Sequence, residues 1–168
     1  FSLDILVSGS HLDKKFGETI KLLSKKFEKN LHQIKILSST KNLFKTSDYY
    51  SELTMKFSKF LKKKRGYDYI FISSDRFESF AIANVAFINQ LQIIHYEGGD
   101  VTSGGSYDDF LRHSISRLSS LHFVTNRFSE KRLIKFGEEK KRISNIGLLS
   151  LKHKKYNLNK IIQKFKLE

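Results

Sequence analysis

The chain has 168 residues, 39% of them hydrophobic and 13% aromatic, with a net charge of +14 and no cysteine. That length fits one ordinary domain with a real core, and the composition is not that of a disordered chain. The lack of cysteine excludes disulfides, thiolate catalysis and thiolate metal ligation, and no apolar run is long enough to span a bilayer.

Leu3 to Ser8 reads as the first strand. Only Phe1 and Ser2 precede it, with no initiator methionine, no basic leader and no cleavage pattern, so the expectation is a cytoplasmic protein whose sequence begins inside a strand. Gly17 to Phe27 places Ile20, Leu22, Leu23 and Phe27 on or near one helical face. Ile34 to Leu37 reads as a second strand, and Tyr49 to Leu61 as a helix that places Leu53, Phe57, Phe60 and Leu61 together. Tyr69 to Ser73 reads as a third strand, followed by a largely apolar helix over Phe77 to Gln90. Gln92 to Tyr96 and Leu121 to Thr125 complete the strands, separated by a helix over Asp108 to Ser119. A helix over Arg127 to Phe136 follows, with Gly137 suited to end it in the left-handed conformation. Short Ile-, Val- and Phe-rich strands alternating with helices predict an α/β fold, a Rossmann-like parallel sheet with helices on both faces. Lys152 to Glu168 is polar and basic, with only Leu158, Ile161, Ile162 and Phe165 set at helical spacing, and reads as a connector or terminal helix.

The charge raises the question of nucleic acid. Clusters such as Lys14-Lys15, Lys25-Lys26, Lys62-Lys63-Lys64 and Lys140-Lys141 fall on different helix surfaces and helix ends. No RNA- or DNA-binding motif accompanies them, so a solvated surface is the preferred reading and a basic α/β nucleic-acid-binding module the alternative. Membrane association is not expected.

Residues 95–113 concentrate the chemistry. His95-Tyr96-Glu97-Gly98-Gly99-Asp100 and Ser106-Tyr107-Asp108-Asp109-Phe110-Leu111-Arg112-His113 gather four carboxylates, two histidines, an arginine and a Gly-Gly turn. An apolar run leads into the first half, which places it past the carboxyl end of a strand, where open α/β sheets bind ligands. Neighbouring carboxylates shift one another's pKa values, as acid/base chemistry requires. Each residue has a plainer role too. Asp75, just past a strand, is suited to cap the next helix. Glu97 can be an exposed loop carboxylate, and Asp108 and Asp109 can complement a helix N-terminus. Arg112, one helical turn past Asp109, can bind a phosphate or pair with a carboxylate, and Arg76 has the same two options. His11 lies in a Ser-Gly-Ser turn after the first strand. His113 and His122 read as structural.

Five segments, in order, resemble the UDP-N-acetylglucosamine 2-epimerases, particularly the hydrolysing branch of sialic and related nonulosonic acid biosynthesis. Ser8-Gly9-Ser10-His11-Leu12 with Phe16-Gly17-Glu18-Thr19 is similar to that family's Gly-Ser-His-Leu and Tyr-Gly-Asn-Thr. Ser74-Asp75-Arg76-Phe77-Glu78 resembles Gly-Asp-Arg-Phe/Tyr-Glu, and His95 to Asp100 resembles His-Ile-Glu/His-Gly-Gly-Glu/Asp. Asp108 to Ser116 resembles Asp-Asp/Glu followed by Ile-Arg-His-Ser/Ala-Ile-Thr, and Asn145-Ile146-Gly147 matches the close of the N-terminal domain. Ser74 replaces a glycine, Asp100 stands where many members have glutamate, and Leu148-Leu149-Ser150 lacks the small residues usual there.

The resemblance implies one half of a GT-B-type two-domain fold. Residues 1–150 would form the N-terminal Rossmann-like domain without its first strand–helix unit, and residues 151–168 a connector helix towards a C-terminal domain. Alone, this chain would be inactive. A GT-B glycosyltransferase fragment shares the architecture but does not need this carboxylate set. The implied reaction removes the sugar C2 proton, expels UDP and adds water, with no metal and no organic cofactor. The implied catalytic residues are Asp75, Glu97, Asp108 and Asp109, and the implied substrate-binding residues are His11, Arg76 and Arg112. The implied partners are a nucleotide-sugar substrate and, in the full-length protein, further copies of the same chain.

Overall fold

The computed structural model describes residues 2–17, 19–36, 43–64, 66–73, 75–102 and 105–149. They divide into two compact units, Phe1–Gly66 and Tyr67–Glu168. The connector expected over 151–168 lies outside the described residues.

In the first unit, β1 (Ile5–Ser8) and β2 (Leu31–Ile34) pair in parallel, Ile5 beside Leu31 and Ser8 beside Ile34. Three short 3-10 turns, Gly9–Leu12, Lys14–Phe16 and Glu28–Asn30, and α1 (Ile20–Phe27) connect them. Gly17, at φ 84°, ends the second turn in the left-handed region, so the helix expected from Gly17 begins at Ile20 instead. β2 lies three residues earlier than the apolar run Ile34–Leu37 suggests. β1 sets its register, and the Ser8 hydroxyl donates to the Ile34 carbonyl at 2.7 Å, closing the strand there. The next carbonyl, of Lys35, accepts from Lys56 Nζ at 2.6 Å rather than from a strand. α2 (Leu43–Lys63) is longer than its apolar face, and buries Tyr49, Leu53 and Phe57.

In the second unit, β3 (Tyr69–Ile72), β4 (Gln92–Tyr96), β5 (Leu121–Val124) and β6 (Ile143–Asn145) form one parallel sheet in that order. Pairing sets Ile72 beside His95, and His95 beside His122. α3 (Phe77–Ile88), α4 (Tyr107–Leu118) and α5 (Arg127–Lys135) connect the strands. α3 contributes Ala83 and Ala86 to a core with Ile72, Ile93 and Ile115, small side chains that let helix and sheet approach closely. Alternate strand residues Ile94, Tyr96 and Phe123 form a second cluster with Ile146. Leu133 of α5 packs on Val124 and Ile143. Gly137, at φ 91°, follows the end of α5 as expected.

Among the described residues, no helix is long and apolar enough to cross a membrane. The lysines are spread over several elements, and some are paired: Lys56 with Glu52 at 2.5 Å, Lys64 with Asp4 at 2.7 Å, and Lys140 with Glu130.

Candidate active site

The site in the second unit grows from the carboxyl ends of three adjacent strands. β3 ends at Ile72, and Asp75 follows before α3 begins. Asp75 is not the cap of that helix: the cap position belongs to Arg76, which makes no side-chain capping bond. β4 ends at Tyr96 and turns sharply through Glu97-Gly98-Gly99-Asp100. β5 ends at Val124 and passes through Thr125 and Asn126 into α5.

The β4 turn is tightly determined. Glu97 adopts φ 66°, a left-handed conformation that costs a residue with a side chain about 1–2 kcal/mol. It is held by its N–H donating to the Phe123 carbonyl at 3.0 Å, and by its own carbonyl accepting from the Asp100 N–H at 3.2 Å. Gly99, at φ 78°, lies so close to α5 that a Cβ there would sit 2.5 Å from the Ser129 carbonyl oxygen. The Gly99 carbonyl accepts from the Arg132 guanidinium. At Gly98 a Cβ would stand 3.0 Å from both His95 Nδ1 and Ser116 Oγ, two atoms themselves 3.0 Å apart in the core.

Arg112 is the hub. α4 is capped by Ser106, whose hydroxyl accepts from the Asp108 N–H at 3.1 Å. That start sets Asp109 and Arg112 one turn apart. Arg112 Nη1 donates to Asp109 Oδ1 at 2.6 Å and to the Asp100 carbonyl at 3.0 Å, while Nη2 donates to Asp75. A guanidinium suits this task, because its fixed fork meets several oxygens at once. Asp109 also accepts the Thr102 N–H on both oxygens, at 3.0 and 3.1 Å. Burial pushes the Asp109 carboxyl upward, but the Thr102 N–H and the Arg112 charge outweigh it and hold its pKa below the ordinary value. Glu97 is shifted the other way. Partial burial raises its pKa, the charges of Asp100 and Asp75 add to the rise, and Arg112 opposes it. The Asp100 carboxylate faces the start of α5, where it accepts from Thr125 Oγ1 at 2.8 Å, from Asn126 Nδ2 at 3.4 Å and from the Ser129 hydroxyl.

Asp75, Asp109, Glu97 and Arg112 therefore form one electrostatic group. Asp108 points its exposed side chain out of the first turn of α4. Arg76 forks onto Glu78 at 3.1 and 3.3 Å, with about half its side chain exposed. His11 belongs to the first unit, where its Nδ1 lies 2.6 Å from Thr19 Oγ1. His113 packs edge-on against Phe136, and His122 is buried 3.2 Å from Glu138. Asp100 is among the carboxylates gathered in the sequence but receives no role of its own there, and Thr102 and Thr125 are not singled out. Asn126 was the one available signal, a helix-capping residue type just before Arg127. Among the described residues, no group of three or more histidine or carboxylate side chains is arranged to hold a metal ion.

A family model described as UDP-N-acetylglucosamine 2-epimerase matches residues 1–168. The chain belongs to that family. It is 37% identical over 149 residues to the GDP/UDP-N,N'-diacetylbacillosamine 2-epimerase (hydrolyzing) of Campylobacter jejuni, covering 89% of this chain and 38% of the relative. It is 31% identical to the polysialic acid biosynthesis protein P7 of Escherichia coli, covering 88% and 37%. The chain thus spans somewhat more than a third of the length of the curated relatives it matches. The structure of the Neisseria meningitidis UDP-GlcNAc 2-epimerase bound to UDP-GlcNAc superposes with a TM-score of 0.70 at 17% identity, over 84% of this chain and 37% of that one. The Methanocaldococcus jannaschii UDP-GlcNAc 2-epimerase does so at 0.70 and 17%, over 87% and 38%. These likenesses establish the fold of this family member as the Rossmann-like type of GT-B enzymes.

Proposed function

We propose that the full-length protein is a hydrolysing nucleotide-sugar 2-epimerase. It converts UDP-N-acetylglucosamine or a related UDP-acetamido sugar to the free 2-epimer, of the N-acetylmannosamine type, and UDP. Residues 1–150 act as its N-terminal Rossmann-like domain, and residues 151–168 lead to the remainder. The observation that carries this reading is the meeting of Asp75 and Asp109 on Arg112, with Glu97 in the same field of charge. Likeness to the Campylobacter relative, a hydrolyzing 2-epimerase, supports the hydrolysing type.

A base first takes the C2 proton, and the C2–H electron pair becomes a C1–C2 double bond. The C1–O bond to UDP breaks and UDP leaves with its electrons. Water then adds, its hydroxyl to C1 and a proton to C2 from the opposite face. C2–H is a weak acid, so a positioned carboxylate is needed, and a carboxyl with a raised pKa carries a proton well near neutrality. Glu97 fits that task, with Asp75 as the second acid/base group. Asp109 remains ionised and fixes Arg112. Asp108, at the open end of the same turn, is free to reach the sugar, while His11, Arg76 and Arg112 contact substrate. This chemistry calls for no metal and no organic cofactor.

The test uses the full-length protein and a UDP-acetamido sugar in D2O. The expected products are UDP and a free sugar carrying deuterium at C2. An epimerised UDP-sugar would instead mark the non-hydrolysing type, and no turnover of any such sugar would overturn the reading. Asp75→Asn should lower turnover by about 10²-fold or more with the fold intact by circular dichroism. Turnover near that of the unaltered protein would remove Asp75 from the mechanism.

A further inference from the structure

We infer that Tyr96 is a positioning residue that couples the chain leaving β6 to the Glu97 turn. This rests on the epimerase reading for its catalytic consequence, though not for the coupling itself.

Tyr96 is the last residue of β4, immediately before Glu97. Its ring is buried with Ile94, Phe123 and Ile146 and stacks on Phe71, with centroids 6.2 Å apart. Its hydroxyl reaches past this cluster to the segment after β6. It donates to the Gly147 carbonyl at 3.3 Å and accepts the Leu149 N–H at 2.8 Å. That segment is where the chain quits the sheet. The Ile146 and Gly147 N–H groups both turn to the Val124 carbonyl, at 3.0 and 3.3 Å, and Gly147 takes φ 76°. One hydroxyl thus grips both sides of this bend.

The coupling is direct because Glu97 has little freedom of its own. Its N–H is already committed to Phe123, and its left-handed backbone leaves a narrow range of conformations. A shift of residues 147–149 therefore moves the Tyr96 ring within a packed cluster, and the ring moves the turn that aims the carboxylate. A side chain outside the reacting group then sets how well Glu97 is aligned.

The experiment compares the full-length protein with Tyr96→Phe, Leu149→Pro and the double variant. Tyr96→Phe keeps the ring and removes only the hydroxyl. Leu149→Pro removes the partner N–H at a residue that is about half exposed. The first readout is hydrogen exchange at the Glu97 and Asp100 amides, which should quicken in each single variant by about fivefold to tenfold, the worth of one or two neutral hydrogen bonds. The second is kinetic. Both single variants should lower kcat by a similar factor with little change in KM, and the double variant should be no worse than either, since both cut the same link. Unchanged exchange at Glu97 and Asp100 in a folded Tyr96→Phe protein overturns the inference, whatever the activity. Quickened exchange with additive kinetic losses overturns it as well. If the exchange result holds and the unaltered protein turns over no UDP-sugar, the coupling stands and the epimerase reading falls.

Discussion

Asp100 shows how a single residue can act on three neighbours at once. Its oxygens hold the start of α5, its carbonyl helps seat Arg112, and its charge raises the Glu97 pKa. Burial is the larger cause of that rise, so removing Asp100 should weaken it rather than abolish it. The sign follows directly. If Glu97 acts as the ionised base, activity falls as pH drops through its raised pKa. Asp100→Asn takes away a negative neighbour, lowers that pKa and moves the acid limb of the kcat profile to lower pH. The amide can still accept from Thr125 and Ser129, so α5 should stay in place. A pH–rate series on the full-length variant checks this, and an acid limb that stays where it was or moves upward would contradict it.

At the scale of elements, the β4 turn is defined by what its glycines leave out. Gly99→Ala would put a methyl 2.5 Å from a backbone oxygen of α5 and 2.9 Å from Leu133 Cγ, in addition to the left-handed strain. We expect a loss of about 2 kcal/mol, typical of overpacking, read as a lowered thermal midpoint. Gly137→Ala, with open space around it, should cost only the conformational strain, about 1 kcal/mol. Elements with a strong apolar pattern and a chemical boundary were readable from sequence. β4 covers the expected Gln92–Tyr96, α4 starts at Tyr107, one residue before the expected Asp108, and α5 stops before Gly137. β2 was not readable in register, because a four-residue strand takes its pairing from β1 and not from its own composition. β6, with Ile143 as its one aliphatic residue, was legible only as the motif Asn145-Ile146-Gly147. The charged side chains of the site could be named from their places beside strand ends. Their division of labour could not, since it depends on one guanidinium reaching a carboxylate 37 positions away in the chain.

For the molecule as a whole, the charge of +14 is large enough to attract polyanions without any specific site. The described lysines are dispersed and several are paired, so binding to single- or double-stranded oligonucleotides should be weak, indifferent to strand form and lost between about 50 and 200 mM salt. Tight, form-selective binding at physiological salt would promote the nucleic-acid alternative. The order of the second sheet carries a different consequence. Its four strands are neighbours in space in the same order as they are made, β3, β4, β5, β6. Each strand leaving the ribosome finds its partner already waiting, and none must hold an edge open for a segment not yet synthesised. Each parallel pairing still has to close a crossover of some length, but the sheet can grow strand by strand as the chain emerges. The carboxylate-bearing turn after β4 would then take its final shape only once β5 has arrived, because the Glu97 N–H has its acceptor on Phe123.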